Sequence, residues 1–313
     1  MQLLNLTNTI NFMRLRIPAL VISAILMVGS IASLAVNSLN WGLDFTGGTL
    51  IQVGYEQSAD LNAIRKQLAT ADFDDAVVQN YGSSQEVLIR IAPREGIKAS
   101  DIGDQVVAIL RADGTPVEKQ RIEFVGPNVG DELSEQGGLA MLVALICILI
   151  YVAMRFEWRF ALGSVAALVH DVVITLGLFS VLQLEVDLTV LAAVLAVIGY
   201  SLNDTIVVSD RIRENFRKIR KATPEEVVNE SLTQTLNRTI VTSLTTILVL
   251  LALFFKGGAL IHGFATALLF GVVIGTYSSI YIASSVALAL GVSKEDLMPP
   301  EIEKEGADQE PLM

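Results

Sequence analysis

The chain has 313 residues, is 52% hydrophobic and carries a net charge of −11. Its mean hydropathy is +0.55, and several apolar runs reach the ~20 residues that a helix needs to cross a bilayer, so an integral membrane protein is predicted. The net charge comes largely from one extramembrane segment and says little about nucleic acid, but no basic face for phosphate is present. The single cysteine excludes an intrachain disulfide or a metal-binding cysteine cluster.

The first apolar run covers residues 17–36 and follows two arginines. A cleaved signal peptide is one interpretation, because Ser33-Leu34-Ala35 resembles a small-residue cleavage site. The run is longer than the apolar core of most signal peptides, and further spans follow. Residues 1–36 are therefore predicted to form a cytosolic N-terminus and an uncleaved first transmembrane helix.

The next segment, residues 37–136, is polar and contains sixteen Asp and Glu against eight Lys and Arg. Residues 60–71 and 99–113 repeat apolar side chains at helical spacing, and strand-like runs surround them. The order β-α-β-β-α-β is the split pattern of ferredoxin-like folds. Gly47 and Gly48 mark a turn before the first strand, because glycine takes positive φ freely.

A five-helix transmembrane bundle is predicted over residues 137–290, with a cytosolic loop at 210–238 and a cytosolic tail at 291–313. The five apolar runs cover 138–154, 160–182, 188–209, 239–255 and 261–290. Cys147 lies in the first of them and is expected to be a small buried side chain. Thr223, Pro224 and Glu226 form an N-cap pattern that predicts a helix running from Pro224 toward the fifth span.

The distribution of basic residues predicts the orientation. Eleven Lys and Arg flank the spans on the side of the N-terminus, and one lies in the short connections on the opposite side. By the positive-inside rule both termini are cytosolic and residues 37–136 lie outside, which is the periplasm in a bacterium. The predicted fold is an α-helical membrane protein with six transmembrane helices and one periplasmic α+β ferredoxin-like domain between the first and second spans.

Ionisable side chains inside the predicted spans are few. Asp204 interrupts the fourth apolar run, and such residues are costly and usually functional. With a rise of ~1.5 Å per residue, Asp204 lies roughly 9 Å inside the cytosolic boundary and Asp171 lies near the midplane. Arg238 enters from the same boundary, so its side chain either reaches Asp204 or turns toward water.

Reversible protonation of Asp204 is the predicted chemistry, because burial favours the neutral form and a nearby guanidinium favours the charged form. Ser201 and Asn203 are assigned to the same proton path, and Asp171 is a weaker candidate beside His170. A purely structural role remains the alternative, in which Asp204 is tied permanently to Asn203, Ser201 or Arg238.

The sixth span places a small residue at every fourth position, including Gly271, Gly275 and Ser279. Such a pattern lets helix backbones approach closely. Two interpretations of this helix-packing seam stay open: a surface that slides against another subunit or half-bundle, and ordinary tight packing.

Motifs of common enzymes are absent. The sequence contains no G-x-x-x-x-G-K-[ST], H-E-x-x-H or G-x-S-x-G pattern, which argues against ATPase, zinc-protease and serine-hydrolase chemistry. No metal or other cofactor is expected. An intramembrane aspartyl protease with Asp171 and Asp204 as its catalytic pair is disfavoured, because the two estimated depths differ by several Å.

Four stretches carry a resemblance to a known family: WGLDFTGG, RFEWRFALGS, VIGYSLNDTIVVSDRIREN and SLTQTLNRTIVTS. They closely resemble the SecF family of the bacterial Sec protein translocase, and the resemblance covers nearly the whole chain. SecF proteins belong with the resistance-nodulation-division transporters and pair with the homologous SecD in a twelve-span bundle. The resemblance implies that Asp204 of SLNDTIVVSDR and Arg238 of LNRTIVTS conduct protons, together with an aspartate from SecD.

The implied function is use of the proton-motive force to promote translocation of preproteins through the SecYEG channel. The implied location is the bacterial inner membrane, and the implied partners are SecD, SecYEG, the preprotein and, less directly, YajC and YidC. The transmembrane proton gradient stands in place of a cofactor. A proton-driven small-molecule exporter of the same superfamily is the alternative, although such exporters usually carry twelve spans in one chain.

Overall fold

The computed structural model describes residues 9–94, 99–112, 114–219 and 221–293. A 3-10 turn, Phe12–Leu15, precedes the first helix, and a π-helical segment, Ser279–Ala283, follows the ninth. The α-helices are α1 Arg16–Asn37, α2 Leu43–Thr46, α3 Leu61–Ala69, α4 Ala99–Arg111, α5 Pro127–Arg155, α6 Trp158–Leu182, α7 Leu188–Lys218, α8 Pro224–Lys256, α9 Ala259–Ser278 and α10 Ser284–Ala289. The strands are β1 Asn40–Trp41, β2 Gly48–Tyr55, β3 Val77–Tyr81, β4 Ser83–Ile91, β5 Val117–Val125 and β6 Glu185–Val186.

Six helices in the described part of the chain are long and apolar enough to span a membrane, which confirms the predicted number. Several extend beyond the apolar runs that identify them. The helix of the fourth span continues to Lys218 and that of the fifth begins at Pro224, so both helices extend into the segment 210–238 that the sequence assigns to a cytosolic loop. Polar residues continue these helices because a helix satisfies its own backbone groups outside the membrane as well.

The start of the fifth-span helix follows the predicted chemistry. Thr223 accepts a hydrogen bond from the Glu226 backbone at 3.3 Å, and the Glu226 carboxylate accepts one from the Thr223 backbone at 2.8 Å. This reciprocal capping box satisfies two amide groups that a helix start leaves unpaired. The predicted helix from Pro224 is confirmed.

The extramembrane region is a four-stranded antiparallel sheet in the order β3-β4-β2-β5, with α3 and α4 packed on one face. The chain order of these elements is the predicted β-α-β-β-α-β. Alternate residues of β2, Ile51 and Val53, are fully buried and pack with Leu68 of α3 and Val106 of α4. Helix α5 begins at Pro127, inside the range 37–136 that the sequence assigns to this domain.

A short parallel pairing joins this domain to the membrane helices. Strand β1 lies just before the domain, and β6 lies between the third and fourth spans. The Asp44 carboxylate accepts a hydrogen bond from the Leu188 backbone at 3.0 Å, in the first turn of α7. Gly48 has a φ of 120°, and a Cβ there would lie 2.3 Å from the carbonyl oxygen of Ile91. Both the conformation and the close approach therefore require glycine.

The membrane helices pack around α6, α7 and α9. In each of α6 and α7, half of the residues in an apolar 18-residue stretch are buried, whereas only 6% are buried in the corresponding stretch of α5. Cys147 of α5 is exposed in this chain, so the prediction that it is buried is wrong. The apolar sequence of a span cannot distinguish a side chain that faces lipid from one that faces another helix.

Candidate functional site

Asp204 lies between three membrane helices and is only 7% exposed. One carboxylate oxygen accepts a hydrogen bond from Thr239 Oγ1 of the fifth span at 2.8 Å, and the other accepts one from Ser279 Oγ of the sixth at 2.5 Å. Both donors are neutral hydroxyls. The fourth, fifth and sixth spans therefore meet at this one side chain.

Asp171 is fully buried on the third span. Its Oδ1 contacts His170 Nδ1 at 2.9 Å, and its Oδ2 accepts hydrogen bonds from Ser201 Oγ at 2.5 Å and Ser278 Oγ at 2.7 Å. The sequence predicts Ser201 as a companion of Asp204, whereas the structure places its hydroxyl on Asp171. The more buried of the two carboxylates is thus the one that the sequence marks as the weaker candidate.

Two consecutive serines of the sixth span serve different carboxylates. Ser278 donates to Asp171, and Ser279 donates to Asp204. A π-helical segment begins at this point and covers Ser279–Ala283. Short π-helical segments widen a helix locally and are frequent at functional sites. The repeated serines of SSIYIASS, unusual in an apolar span, are the sequence signal that points to this position.

Arg238 is exposed on the fifth span. Within the described ranges it makes no hydrogen bond or salt bridge with Asp204, although it is near enough to interact with the carboxylate electrostatically. The next residue along the chain, Thr239, makes the direct contact instead. Asn203, the other predicted companion, is exposed, and in the described residues its side chain makes no hydrogen bond with the Asp204 carboxylate.

The small residues of the sixth span pack inside this chain. A Cβ on Gly271 would lie 2.2 Å from a methyl carbon of Val197, and one on Gly275 would lie 3.1 Å from the Ser201 Cβ. The helix-packing seam therefore faces the fourth span, one turn before Ser279. Its closeness keeps the serines within hydrogen-bonding distance of both carboxylates.

The two aspartates do not form a shared pair. Each has its own hydroxyl donors, and no hydrogen bond joins the two carboxylates in the described structure. A catalytic aspartate dyad needs two carboxyl groups that share one proton, so the protease interpretation finds no support. Within the same described residues, no group of three or more His, Cys, Asp and Glu that could hold a metal ion is found.

The comparisons with known proteins agree with one another. A family model described as "Protein export membrane protein SecD/SecF, C-terminal" matches residues 105–293, and one described as "SecD/SecF GG Motif" matches residues 32–59. The protein translocase subunit SecF of Vibrio alginolyticus is 60% identical over 98% of both chains. Its counterpart from Escherichia coli O157:H7 is 49% identical over 97% of this chain and 94% of that one.

Two solved structures share the fold. The crystal structure of SecDF, a translocon-associated membrane protein from Thermus thermophilus, is 37% identical with a TM-score of 0.83. It covers 92% of this chain, and this chain covers 39% of the SecDF chain. SecDF in a super-membrane-facing form is also 37% identical over 91% of this chain, with a TM-score of 0.68. The chain therefore belongs to the SecF family of SecD/SecF protein-export membrane proteins.

Proposed function

We propose that this chain is the SecF subunit of a SecD–SecF complex that uses the transmembrane proton gradient to promote preprotein translocation through SecYEG. Asp204 is the residue that takes up and releases a proton. The observation that carries the proposal is the burial of this carboxylate among apolar spans, with two hydroxyls as its hydrogen-bond donors. A buried carboxylate without a paired cation is costly when charged, so a proton binds there favourably.

Protonation changes the hydrogen bonds that the carboxyl group of Asp204 can form with its neighbours. As a carboxylate, Asp204 accepts hydrogen bonds on both oxygens, from Thr239 and Ser279. As a carboxylic acid, one oxygen carries a hydrogen and becomes a donor. A hydroxyl that faces this hydrogen must then turn, because two donors cannot face each other; the Ser279 hydroxyl can turn to the Thr276 carbonyl oxygen, 3.0 Å away. The contacts between the fourth span and its two neighbours therefore differ between the protonation states.

A path for movement toward the extramembrane domain begins at the outer end of the same helix. Asp44 holds the first turn of α7, and the β1–β6 pairing ties the connection before α7 to the segment that enters β2. Arg90 of β4 donates to the Trp41 carbonyl oxygen and to Asn40 Oδ1, the latter at 3.3 Å. A displacement of α7 is thus passed to the sheet through hydrogen bonds rather than through a flexible linker.

The energy scale is adequate for such coupling. One elementary charge crossing the membrane supplies ~2.3 kcal/mol per 100 mV, and moving a two-state equilibrium from 1:99 to 99:1 needs about 5.5 kcal/mol. At 100 mV, one proton supplies somewhat less than half of that and two protons supply most of it. The different TM-scores to two SecDF structures of the same 37% identity support the view that this fold adopts more than one arrangement.

Orientation and partners form part of the same proposal. Both termini are cytosolic and the sheet domain is periplasmic, because the basic residues flanking the spans lie mostly on one side. SecD supplies the other half of the transmembrane bundle, and YajC and YidC are further candidate partners in the bacterial inner membrane. Arg238 acts as a nearby positive charge that helps Asp204 to release its proton.

Export by a reconstituted complex tests the proposal. Asp204→Asn is compared with Asp210→Asn, the same change six residues later on the same helix, where the side chain is partly exposed and pairs with Arg155. With SecD, SecYEG and an imposed proton gradient, we expect at least a tenfold loss of gradient-stimulated export for Asp204→Asn and near-normal export for Asp210→Asn. An imposed Na⁺ gradient is the control for cation identity.

Equal export by the two variants would contradict the assignment of Asp204. If Asp204→Asn instead leaves preprotein export unchanged but abolishes gradient-driven release of small apolar compounds, the exporter alternative replaces the proposal.

A further inference from the structure

We propose that His170 is a second proton-binding residue of this complex, that the proton binds at its Nε2 atom, and that Asp171 holds the ring in place. The inference rests on the proposed proton-driven function, and it adds a residue that neither the sequence pattern nor the family comparison assigns.

His170 is 4% exposed on the third span, and the geometry fixes the use of one ring nitrogen. Its Nδ1 lies 2.9 Å from Asp171 Oδ1, while Asp171 Oδ2 already accepts hydrogen bonds from Ser201 and Ser278. When Asp171 is ionised, both of its oxygens accept hydrogen bonds, so Nδ1 carries the hydrogen and Nε2 has a free lone pair. Nε2 has no hydrogen-bond partner among the described residues.

An unpartnered buried ring nitrogen is unusual, because buried polar atoms are generally hydrogen-bonded. The ring is fixed by stacking on Tyr277, with 6.2 Å between centroids and an angle of 27°. The Tyr277 hydroxyl donates to the Ala19 carbonyl oxygen at 2.6 Å and accepts from Ser23 at 3.1 Å. It is therefore committed to the first span, and it leaves Nε2 open.

The charges around the ring favour proton binding. A neutral imidazole beside the Asp171 carboxylate leaves one net negative charge in a buried place, and a proton on Nε2 gives an imidazolium–carboxylate pair with no net charge. The Nδ1 hydrogen bond stays intact in both states. Within the apolar runs of the helices packed against α6, the other titratable side chains are His262, Tyr277 and Tyr281 on the sixth span, Tyr200 and Asp204 on the fourth, and Tyr151 and Cys147 on the second. The remaining charged residues of these helices, such as Arg16, Arg155 and Asp210, lie toward the helix ends.

The position links this pair to the first proton site. Ser278, the last residue of α9, donates to Asp171, and Ser279, the first residue of the π-helical segment, donates to Asp204. Both sites therefore lie at the start of this segment, and a change in the charge of either site alters the hydrogen bonds of the helix there. We infer that the two protonations are coupled through this segment.

Nuclear magnetic resonance of the imidazole nitrogens tests proton binding directly. The chain has two histidines, and His262 is exposed beside Phe254, so His262→Gln leaves His170 as this chain's only imidazole. With ¹⁵N-histidine incorporated in this chain alone and the complex assembled with unlabelled SecD, we expect a protonated Nε2 resonance that gains intensity as the pH is lowered. Asp171→Asn in the same background is expected to lower the protonated fraction at each pH. An Nε2 resonance that does not respond to pH would overturn the inference.

Proton flux into reconstituted vesicles separates this inference from the proposed function. We expect at least a tenfold loss for His170→Gln with a flattened pH profile, and less than a twofold change for His262→Gln. Normal flux and an unchanged pH profile in His170→Gln, with flux lost in Asp204→Asn, would overturn the role of His170 and leave the proposed function standing. Normal flux in Asp204→Asn would overturn the proposed function, and the resonance titration then decides proton binding at His170 by itself.

Discussion

Replacing Gly271 by alanine perturbs the seam between the fourth and sixth spans without touching any polar group. The added Cβ would lie 2.2 and 2.7 Å from the two Val197 methyl carbons, whereas carbon atoms in contact prefer about 3.5–4.0 Å. Val197 is 1% exposed and has no room to turn away. The two helices must therefore separate by about 1 Å, which typically costs about 1–3 kcal/mol.

Gly29 provides the matched control, because a Cβ there meets nothing within 4 Å. Replacing Gly29 by alanine therefore retains the gain in helix stability, up to about 1 kcal/mol, that alanine has over glycine. We expect the two variants to differ by about 2 kcal/mol or more in the free energy of unfolding of the complex. Denaturant unfolding in detergent gives this difference, and proton flux shows whether the serine contacts survive.

A second substitution that restores space at the contact between Gly271 and Val197 completes the test. Val197→Ala in the Gly271→Ala background removes both clashing methyl groups, so we expect it to recover flux relative to Gly271→Ala alone. If Gly271→Ala is as stable and as active as Gly29→Ala, the seam does not position the serines and the packing argument fails.

Three further predictions concern groups outside the membrane core. Burial raises the pKa of Glu185, with Arg90 opposing the shift, so the charged form is disfavoured in the folded protein and stability falls as pH rises through that raised pKa. Glu185→Gln should therefore melt with a weaker dependence on pH than wild type between pH 4 and 8, and an identical pH dependence would contradict this. Thr223→Ala removes one half of the capping box and should cost about 1 kcal/mol of unfolding free energy, whereas Thr223→Ser should cost little; equal losses in a denaturant titration would contradict this. Asp44→Ala removes the acceptor for the Leu188 amide, so we expect increased hydrogen exchange in the first turn of α7 and reduced coupling of export to proton flux; wild-type exchange would exclude this role.

The sequence predicts most of the fold because its signals are local. An apolar run of about 20 residues identifies a span. Apolar residues at alternate positions, such as Ile51 and Val53, identify a strand. Thr223 and Glu226 act over three residues, so their capping box is predictable. The end of the fourth-span helix at Lys218 is harder to predict, because hydropathy marks the membrane and not the end of a helix.

The candidate site is less predictable because its contacts are distant along the chain. Asp204 is identified by its cost in an apolar helix, but its donors Thr239 and Ser279 lie 35 and 75 residues away in sequence. Ser201 is assigned to Asp204 by proximity along the helix, whereas helical spacing and the crossing of the third span place it on Asp171. The π-helical segment at Ser279 is a tertiary feature that no local pattern specifies.

The central claim, that Asp204 changes its protonation state, is tested most directly by pH-dependent infrared difference spectroscopy of the SecD–SecF complex. If Asp204 is protonated reversibly, we expect a carbonyl band of a protonated carboxylic acid that grows as pH falls, disappears in Asp204→Asn and persists in Asp210→Asn. A spectrum in which no such band depends on Asp204 would contradict reversible protonation of this residue.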